Sequence, residues 1–328
     1  MIRWGVIGAG GFADKRAIPG MLEAGNCRLQ AVMVRDVARA EALARKHGAQ
    51  ASYADVDSLL ADPEVDAVYV CTPVHLHREH TVKAAQAGKH VLCEKPLALT
   101  AEQGEDMARA CAAHDRILMP GFMFRFHTSH IRVKEMIDSG ALGQVVSARA
   151  QLCFWYPETP DAWRQVRQMG GGGCLMDVGS HCLDLLCYLL GDVTSVAAMQ
   201  DTAVFDYEVE DIIHVLVKFA SRAQGIVDVG FCVPHRENYL EVYGTKGSLL
   251  AQKTIGPFAD PTVKWISEDG EQDVAEPFRN TYAAEFEHFA DCVERGERPR
   301  VGAEEGITNL RLIEAAYRSA ESGRVIAI

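Results

Sequence analysis

The sequence is short of positive charge. Its 33 lysines and arginines face 45 aspartates and glutamates, a formal net charge of −12. A uniformly acidic surface disfavours nucleic acid and anionic membranes as partners, although a local basic pocket can still hold a small phosphate. No apolar stretch reaches the roughly 20 residues that a helix needs to cross a bilayer. The segment Met1-Ile2-Arg3-Trp4-Gly5 runs straight into a strand-like stretch, without the charged, apolar and cleavage regions of a signal peptide. These absences give the expectation of a cytoplasmic protein with neither nucleic-acid nor membrane partners. Internal repeats and low-complexity segments are lacking as well. Ten cysteines are present, yet none forms a Cys-x-x-Cys pair, and Cys182 and Cys187 sit inside an apolar run. Reduced, buried thiols fit this better than a disulfide framework or a zinc site. The histidines show no metal-ligand spacing, so no metal is expected.

The residues that are present suffice to build cores. Apolar residues make up 48% of 328, and a chain of that length has two domains as its natural organisation. The first third alternates strand and helix signals. Strands are expected at 4–7, 29–34, 65–71, 90–93 and 117–121. Helices are expected up to about 23, from an N-cap at Asp36 to 46, and over 81–87 and 101–113. Such alternation argues for a parallel, doubly wound sheet. After a helix near 131–139 the chain becomes strand-rich, at 145–154, 193–203, 212–219, 225–231, 239–243 and 248–252. Short connections favour antiparallel pairing there. A helix over 175–190 interrupts this region, and helices near 282–294 and 303–322 close the chain. The expected division is 1–122 and 123–328.

Gly8-Ala9-Gly10-Gly11-Phe12-Ala13 has the G-x-G-x-x-A form, after a strand and opening a helix. The first glycine permits a tight turn, the second lets the backbone approach a pyrophosphate, and the small last residue allows close helix–strand packing. The pyrophosphate would sit on the helix N-terminus. An acidic residue at the end of the second strand would hold the adenosine ribose. Here the strand ends Arg35-Asp36, followed by Arg39 in the first helical turn, where a cation opposes the helix dipole. A 2′-phosphate between Arg35 and Arg39 accounts for both, which favours NADP over NAD.

Two further features carry chemistry. Cys93-Glu94-Lys95-Pro96 follows the fourth strand, and ligands of open parallel sheets bind beyond the carboxyl ends of strands. Lys95 there can polarise an alcohol or carbonyl oxygen. The second feature is Gly170 to Gly173 leading into an apolar helix. Asp177, His181 and Asp184 follow i, i+4, i+7 spacing on it and share one face. A histidine titrates near neutrality and suits proton exchange with an alcohol.

Together these pieces resemble the glucose–fructose oxidoreductase / inositol dehydrogenase / MocA family. The markers are the Gly8-to-Ala13 turn, Thr72-Pro73 with His77, and the run Ala87-Gly88-Lys89-His90-Val91-Leu92-Cys93-Glu94-Lys95-Pro96-Leu97. Gly121-Phe122 with Arg125-Phe126, Gly140-Ala141-Leu142-Gly143 and the Gly172-to-Leu186 helix complete the set. The resemblance implies an N-terminal Rossmann domain and a C-terminal α/β domain on an open, mostly antiparallel sheet that makes dimer or tetramer contacts. It implies hydride transfer between a nicotinamide and a hydroxyl or carbonyl carbon of a sugar, polyol or related diol. Lys95 would polarise the oxygen, His181 exchange the proton, and Asp177 place the substrate. Trp163, Arg164 and Arg125 would contact substrate or support that contact. The cofactor contacts implied are Gly8, Gly10, Gly11, Phe12, Ala13, Arg35, Arg39, Thr72, Pro73, His77, Glu94 and Lys95. The NADP-linked dihydrodiol dehydrogenases of the family end the second strand similarly. Val74 stands where many members have asparagine after Thr-Pro, so the nicotinamide contact departs from the family pattern, and His75, which follows it, reads as helix-start packing or capping. Two rival readings are a glycoside-cleaving enzyme with tightly held NAD and a non-catalytic nucleotide-binding protein.

Overall fold

Six short strands with mainly apolar residues pair in parallel in the computed structural model, which describes residues 1–256 and 260–328. They are β1 (Ile2–Ile7), β2 (Cys27–Met33), β3 (Ala51–Tyr53), β4 (Ala67–Val70), β5 (His90–Glu94) and β6 (Leu118–Gly121). Their order is β3-β2-β1-β4-β5-β6. The four residues of β4 are all buried, as expected for strands covered on both faces. Asp36 caps the helix Val37–His47 by accepting from the Arg39 amide at 2.8 Å, and Gly48 closes it in the left-handed region.

In place of the one expected cut at 122/123, the chain crosses between the units three times, at 123/124, 279/280 and 308/309. One compact unit is Met1–Met123 with Asn280–Thr308, and the other is Phe124–Arg279 with Asn309–Ile328. The reason is aromatic burial. Phe286 and Phe289, on the helix Thr281–Arg295, are fully buried with their ring centroids 5.0 Å from Trp4 of β1. Gly20 lets the helix Ile18–Glu23 meet this segment, because a Cβ there would lie 2.4 Å from Tyr282 Cβ.

The second unit is built on nine strands. They are β7 (Val145–Cys153), β8 (Val193–Asp201), β9 (Ile212–Phe219), β10 (Gln224–Gly230), β11 (Tyr239–Gly244), β12 (Gly247–Gln252), β13 (Thr262–Ser267), β14 (Gly270–Asp273) and β15 (Ile326–Ala327). The sheet runs β14-β13-β12-β11-β7-β10-β9-β8-β15 and is antiparallel except for β7 with β10. The helix Ser180–Leu190 covers one face, where a Cβ on Gly225 would meet Val217, Phe219 and Leu186. The stretch Arg167–Leu190 is apolar and long enough to span a membrane by composition, contrary to the sequence reading, but 78% of its most apolar window is buried inside the protein. All ten cysteines are free thiols, and seven of them are buried.

Two buried histidines open the helix Thr128–Asp138. His127 Nδ1 accepts from the Ser129 amide at 3.1 Å, and His130 Nδ1 donates to the Phe124 carbonyl oxygen at 2.9 Å. Burial pushes their pKa values down to about 4 and about 3. The unfolded chain therefore takes up protons that the folded one refuses. Stability is complete above the ordinary histidine pKa near 6.5 and is lost as pH falls from there toward the folded values. Replacing His130 with glutamine keeps a donor for Phe124 and removes the titration. The stability difference between pH 7 and pH 5, read from urea unfolding, should then shrink by about 2 kcal/mol. An unchanged difference would mean that His130 binds its proton in the folded state.

Candidate active site

Gly8 follows β1 at φ +88°, and a Cβ there would lie 2.7 Å from the Cys71 carbonyl oxygen and 2.9 Å from Thr72 Cγ2. Only glycine fits both the angle and the space. The Gly8 and Ala9 amides each donate to the Met33 carbonyl oxygen at 3.0 Å, which ties the turn to the end of β2. Residues 11–23 are helical, with a widened π turn at Ala13–Ala17 and no side-chain cap at the start. The first-turn amides of such a helix lack partners within it and favour an anion. Ala13 is fully buried, as close helix–strand packing requires. The strand order reverses between β1 and β4, so the turn sits at the switch point of the sheet. These residues fit a dinucleotide pyrophosphate.

Arg35 and Arg39 are exposed at the end of β2 and the start of the next helix. The Arg39 guanidinium reaches back over the glycine turn, since a Cβ on Gly10 would lie 2.7 Å from its Nη2. Phe12 is 38% exposed and its ring lies 5.6 Å from Tyr282.

The turns after β4 and β5 lie next in the sheet. Thr72 Oγ1 is 3.2 Å from His80 Nδ1, Pro73 precedes a short helical turn at Val74–Leu76, and Val74 is buried. His75 belongs to that turn, in keeping with a helix-start role. His77 differs from its expected role as a cofactor contact. It is 1% exposed, with Nε2 2.8 Å from the Thr72 carbonyl oxygen and Nδ1 3.1 Å from the Pro96 carbonyl oxygen. Both oxygens only accept, so a neutral ring serves one at a time. Burial holds its pKa down at about 4, so near neutrality the ring is neutral and donates to one of the two. Glu94 accepts from the Tyr69 hydroxyl and, at 3.1 Å, from the Lys95 amide. It fixes the backbone that carries Lys95. Lys95 is partly exposed, outside any helix, and its bond to Pro96 is cis.

Asp177 and His181 belong to the second unit. The four-glycine run lets the helix start touch its neighbours. A Cβ on Gly172 would lie 1.9 Å from Tyr317 Oη, and one on Gly173 2.0 Å from the Glu210 carbonyl oxygen. Glu210 is 3% exposed, and its carboxylate accepts from the Gly173 and Leu175 amides at 3.0 Å and from the Tyr317 hydroxyl at 2.9 Å. Burial raises its pKa. A carboxylate held on first-turn amides anchors the start of the helix that bears Asp177 and His181.

Asp177 lies in a π turn, Leu175–Gly179, closed by the Ser180 amide donating to the Leu175 carbonyl oxygen. Its Oδ1 is 3.2 Å from Arg164 Nε, and the Arg164 guanidinium lies 4.2 Å from the centre of the Trp163 ring. Tyr156 hydrogen-bonds Arg164, and burial raises its pKa, with Asp177 adding to the rise. Trp163, Arg164 and Asp177 thus lie together, and Tyr156 joins them. His181 is 8% exposed, and its ring is 4.7 Å from that of Phe124.

Asp184 departs from the expected polar stripe. It receives Arg125 Nε at 2.9 Å and Nη2 at 2.8 Å, and the Arg125 guanidinium also lies 5.3 Å from the centre of the Tyr188 ring. Arg125 is 6% exposed. Its expected role at the substrate gives way to a buried ion pair that fixes the Met123–Phe126 turn to the Ser180–Leu190 helix. Such a pair is costly to break from one side because the other charge stays buried. Among the described residues, no group of three or more His, Cys, Asp and Glu side chains is placed to hold a metal ion. Glu210, Tyr317 and Tyr156 carry no signal of their own in the sequence. The glycine run is the one sign that another group must approach the helix start.

A family model described as an oxidoreductase family with an NAD-binding Rossmann fold matches residues 2–122, and one for the GFO/IDH/MocA C-terminal domain matches residues 130–250. The chain is 32% identical to 1,5-anhydro-D-fructose reductase of Ensifer adhaerens, over 100% of this chain and 99% of that one. It is 35% identical to D-xylose 1-dehydrogenase (NADP(+)) 2 of Haloferax volcanii, over 99% of each. The crystal structure of aldose-aldose oxidoreductase from Caulobacter crescentus, complexed with glycerol, is similar at TM-score 0.93 and 32% identity, over 100% of this chain and 99% of that one.

Proposed function

We propose a division of labour among the site residues from this premise: the chain belongs to the GFO/IDH/MocA family of oxidoreductases. It is an NAD(P)-dependent oxidoreductase acting on a hydroxyl or carbonyl carbon of a sugar or polyol. The observation that carries the reading is the Gly8 turn, which excludes any side chain and opens an uncapped helix at the switch point. A bound nicotinamide nucleotide supplies or accepts the hydride. The chain's own residues hold the nucleotide and manage the oxygen and its proton.

Lys95 polarises the reacting oxygen through its ammonium charge, and His181 exchanges the hydroxyl proton. Asp177, held by Arg164, orients the sugar hydroxyls, and Trp163 with Arg164 forms the adjoining wall. NADP is the preferred nucleotide, with NAD the weaker alternative. Arg39 already lies over Gly10, Arg35 is close in sequence, and the Asp36 carboxylate is engaged as a helix cap. The protein acts in the cytoplasm on a small sugar-like molecule, without nucleic-acid or membrane partners, and as a homodimer or homotetramer. The outer face of the second sheet supports self-association, because Met199 is 79% and Leu216 55% exposed on it.

Turnover is measured by reduced-nucleotide absorbance over a panel of D-xylose, D-glucose, 1,5-anhydro-D-fructose and myo-inositol. Lys95→Ala and His181→Ala should each lower kcat by roughly 100-fold or more, in the range of lost acid–base catalysis. Either variant with full turnover would remove that residue from the mechanism. The ratio of kcat/KM for NADP to that for NAD should exceed one and fall at least tenfold in the Arg35→Ala, Arg39→Ala double variant. An unchanged ratio would place nucleotide choice elsewhere. Light scattering should report a dimer or tetramer, and Leu216→Glu should shift it toward the monomer. A monomeric parent protein would refute the assembly.

A further inference from the structure

The parallel ladder between β4 and β5 ends at the pair Val70–Cys93. Beyond it the two chains turn away, one into Cys71-Thr72-Pro73 and the other into Glu94-Lys95-Pro96. The first of these turns touches the glycine turn, through the Cys71 carbonyl oxygen and Thr72 Cγ2 beside Gly8. The second carries Lys95. A side chain continues where the ladder stops. His77, the first residue of the helix His77–Gln86, lies with one ring nitrogen 2.8 Å from the Thr72 carbonyl oxygen and the other 3.1 Å from the Pro96 carbonyl oxygen.

We infer that His77 is a positioning residue for Lys95: its ring spaces the lysine turn from the Thr72 turn, which itself abuts Gly8, so that the ammonium group is held at a fixed place relative to the nucleotide-binding backbone. This rests on the reading of Lys95 as the group that polarises the reacting oxygen. Several features of the surroundings support it. The ring is 1% exposed and cannot itself meet a ligand. The Lys95 amide is fixed from the other side by Glu94, which is in turn held by the Tyr69 hydroxyl. Thr72 is held a second time through His80. The two ring nitrogens reach carbonyl oxygens on both sides of the gap, and the neutral ring donates to one while filling the space to the other. Glutamine offers one amide donor on a flexible stem. Phenylalanine fills the volume and offers none.

The test uses the full-length protein and the panel sugar that turns over fastest. His77→Phe and His77→Gln are made alone and with Lys95→Ala. Hydrogen exchange on the protein without nucleotide should show faster exchange in residues 71–76 and 94–99 of His77→Phe, with the central strands unchanged. Its kcat should fall about 10- to 100-fold, the scale expected for a misplaced reacting group, while KM for NADP stays within threefold. His77→Gln should recover at least threefold of that loss. In the Lys95→Ala background His77→Phe should cost less than a further twofold, because the group it positions is gone. Full kcat in His77→Phe would overturn the inference, as would an equal loss with and without Lys95. A fully active Lys95→Ala protein would instead overturn the role of the lysine, whatever the exchange data show.

Discussion

The close approach at Gly8 is the constraint on which the first unit depends. Its α-carbon sits against the Cys71 carbonyl oxygen, so the ends of β1 and β4 nearly touch. That contact is possible only at φ +88° and without a Cβ. Because the sheet order reverses between these two strands, the contact also fixes the floor of the nucleotide site. The Met33 carbonyl oxygen holds the same turn from β2. From β4 the constraint passes outward through Thr72 and His77 to the backbone beside Lys95. A side chain at residue 8 would therefore disturb anion binding and lysine placement together.

The second unit reaches a similar end by different means. Its key helix begins at a glycine run pressed against Glu210 and Tyr317. The anion there is part of the protein, a buried carboxylate accepting from two first-turn amides and a tyrosine hydroxyl. In the first unit the uncapped helix start fits a ligand anion. In the second unit Glu210 occupies the equivalent place, which leaves that helix to present side chains. The Arg125–Asp184 pair fastens the helix further along.

Much of this is legible in the sequence because the signals are local. Strand β9 and the helices Ala101–Ala113 and Ala303–Ser322 match their expected bounds, since apolar periodicity and caps define them. The glycine turn and the Asp36 cap likewise depend on neighbours in sequence. Strand β14 has four exposed residues, Gly-Glu-Gln-Asp, and so carries no apolar pattern. Strand β3 has only three residues. The return of Asn280–Thr308 to the first unit depends on rings in β1 and β4 that are distant in sequence from Phe286. Glu210 lies 37 residues from Gly173, and no spacing rule links them. Arg125 and His77 stand out in the sequence as polar residues within motifs, yet their burial gives them internal partners that composition cannot reveal.

One device recurs in both functional helices. Each contains a π turn within its opening residues, at Ala13–Ala17 and at Leu175–Gly179. A π turn adds a residue to a helical turn and shifts the phase of the residues after it, at some cost in hydrogen-bond geometry, and it is found frequently at functional sites. In the second helix the turn contains Asp177, while His181 comes immediately after its closing residue, Ser180. The inserted residue turns Asp177 relative to the regular helix that carries His181 and Asp184. Asp177 can then meet Arg164 while Asp184 meets Arg125. A regular helix would keep all three close to one stripe, as the i, i+4, i+7 spacing implies. The widened turn thus gives the two aspartates of the same helix different partners, Arg164 for Asp177 and Arg125 for Asp184.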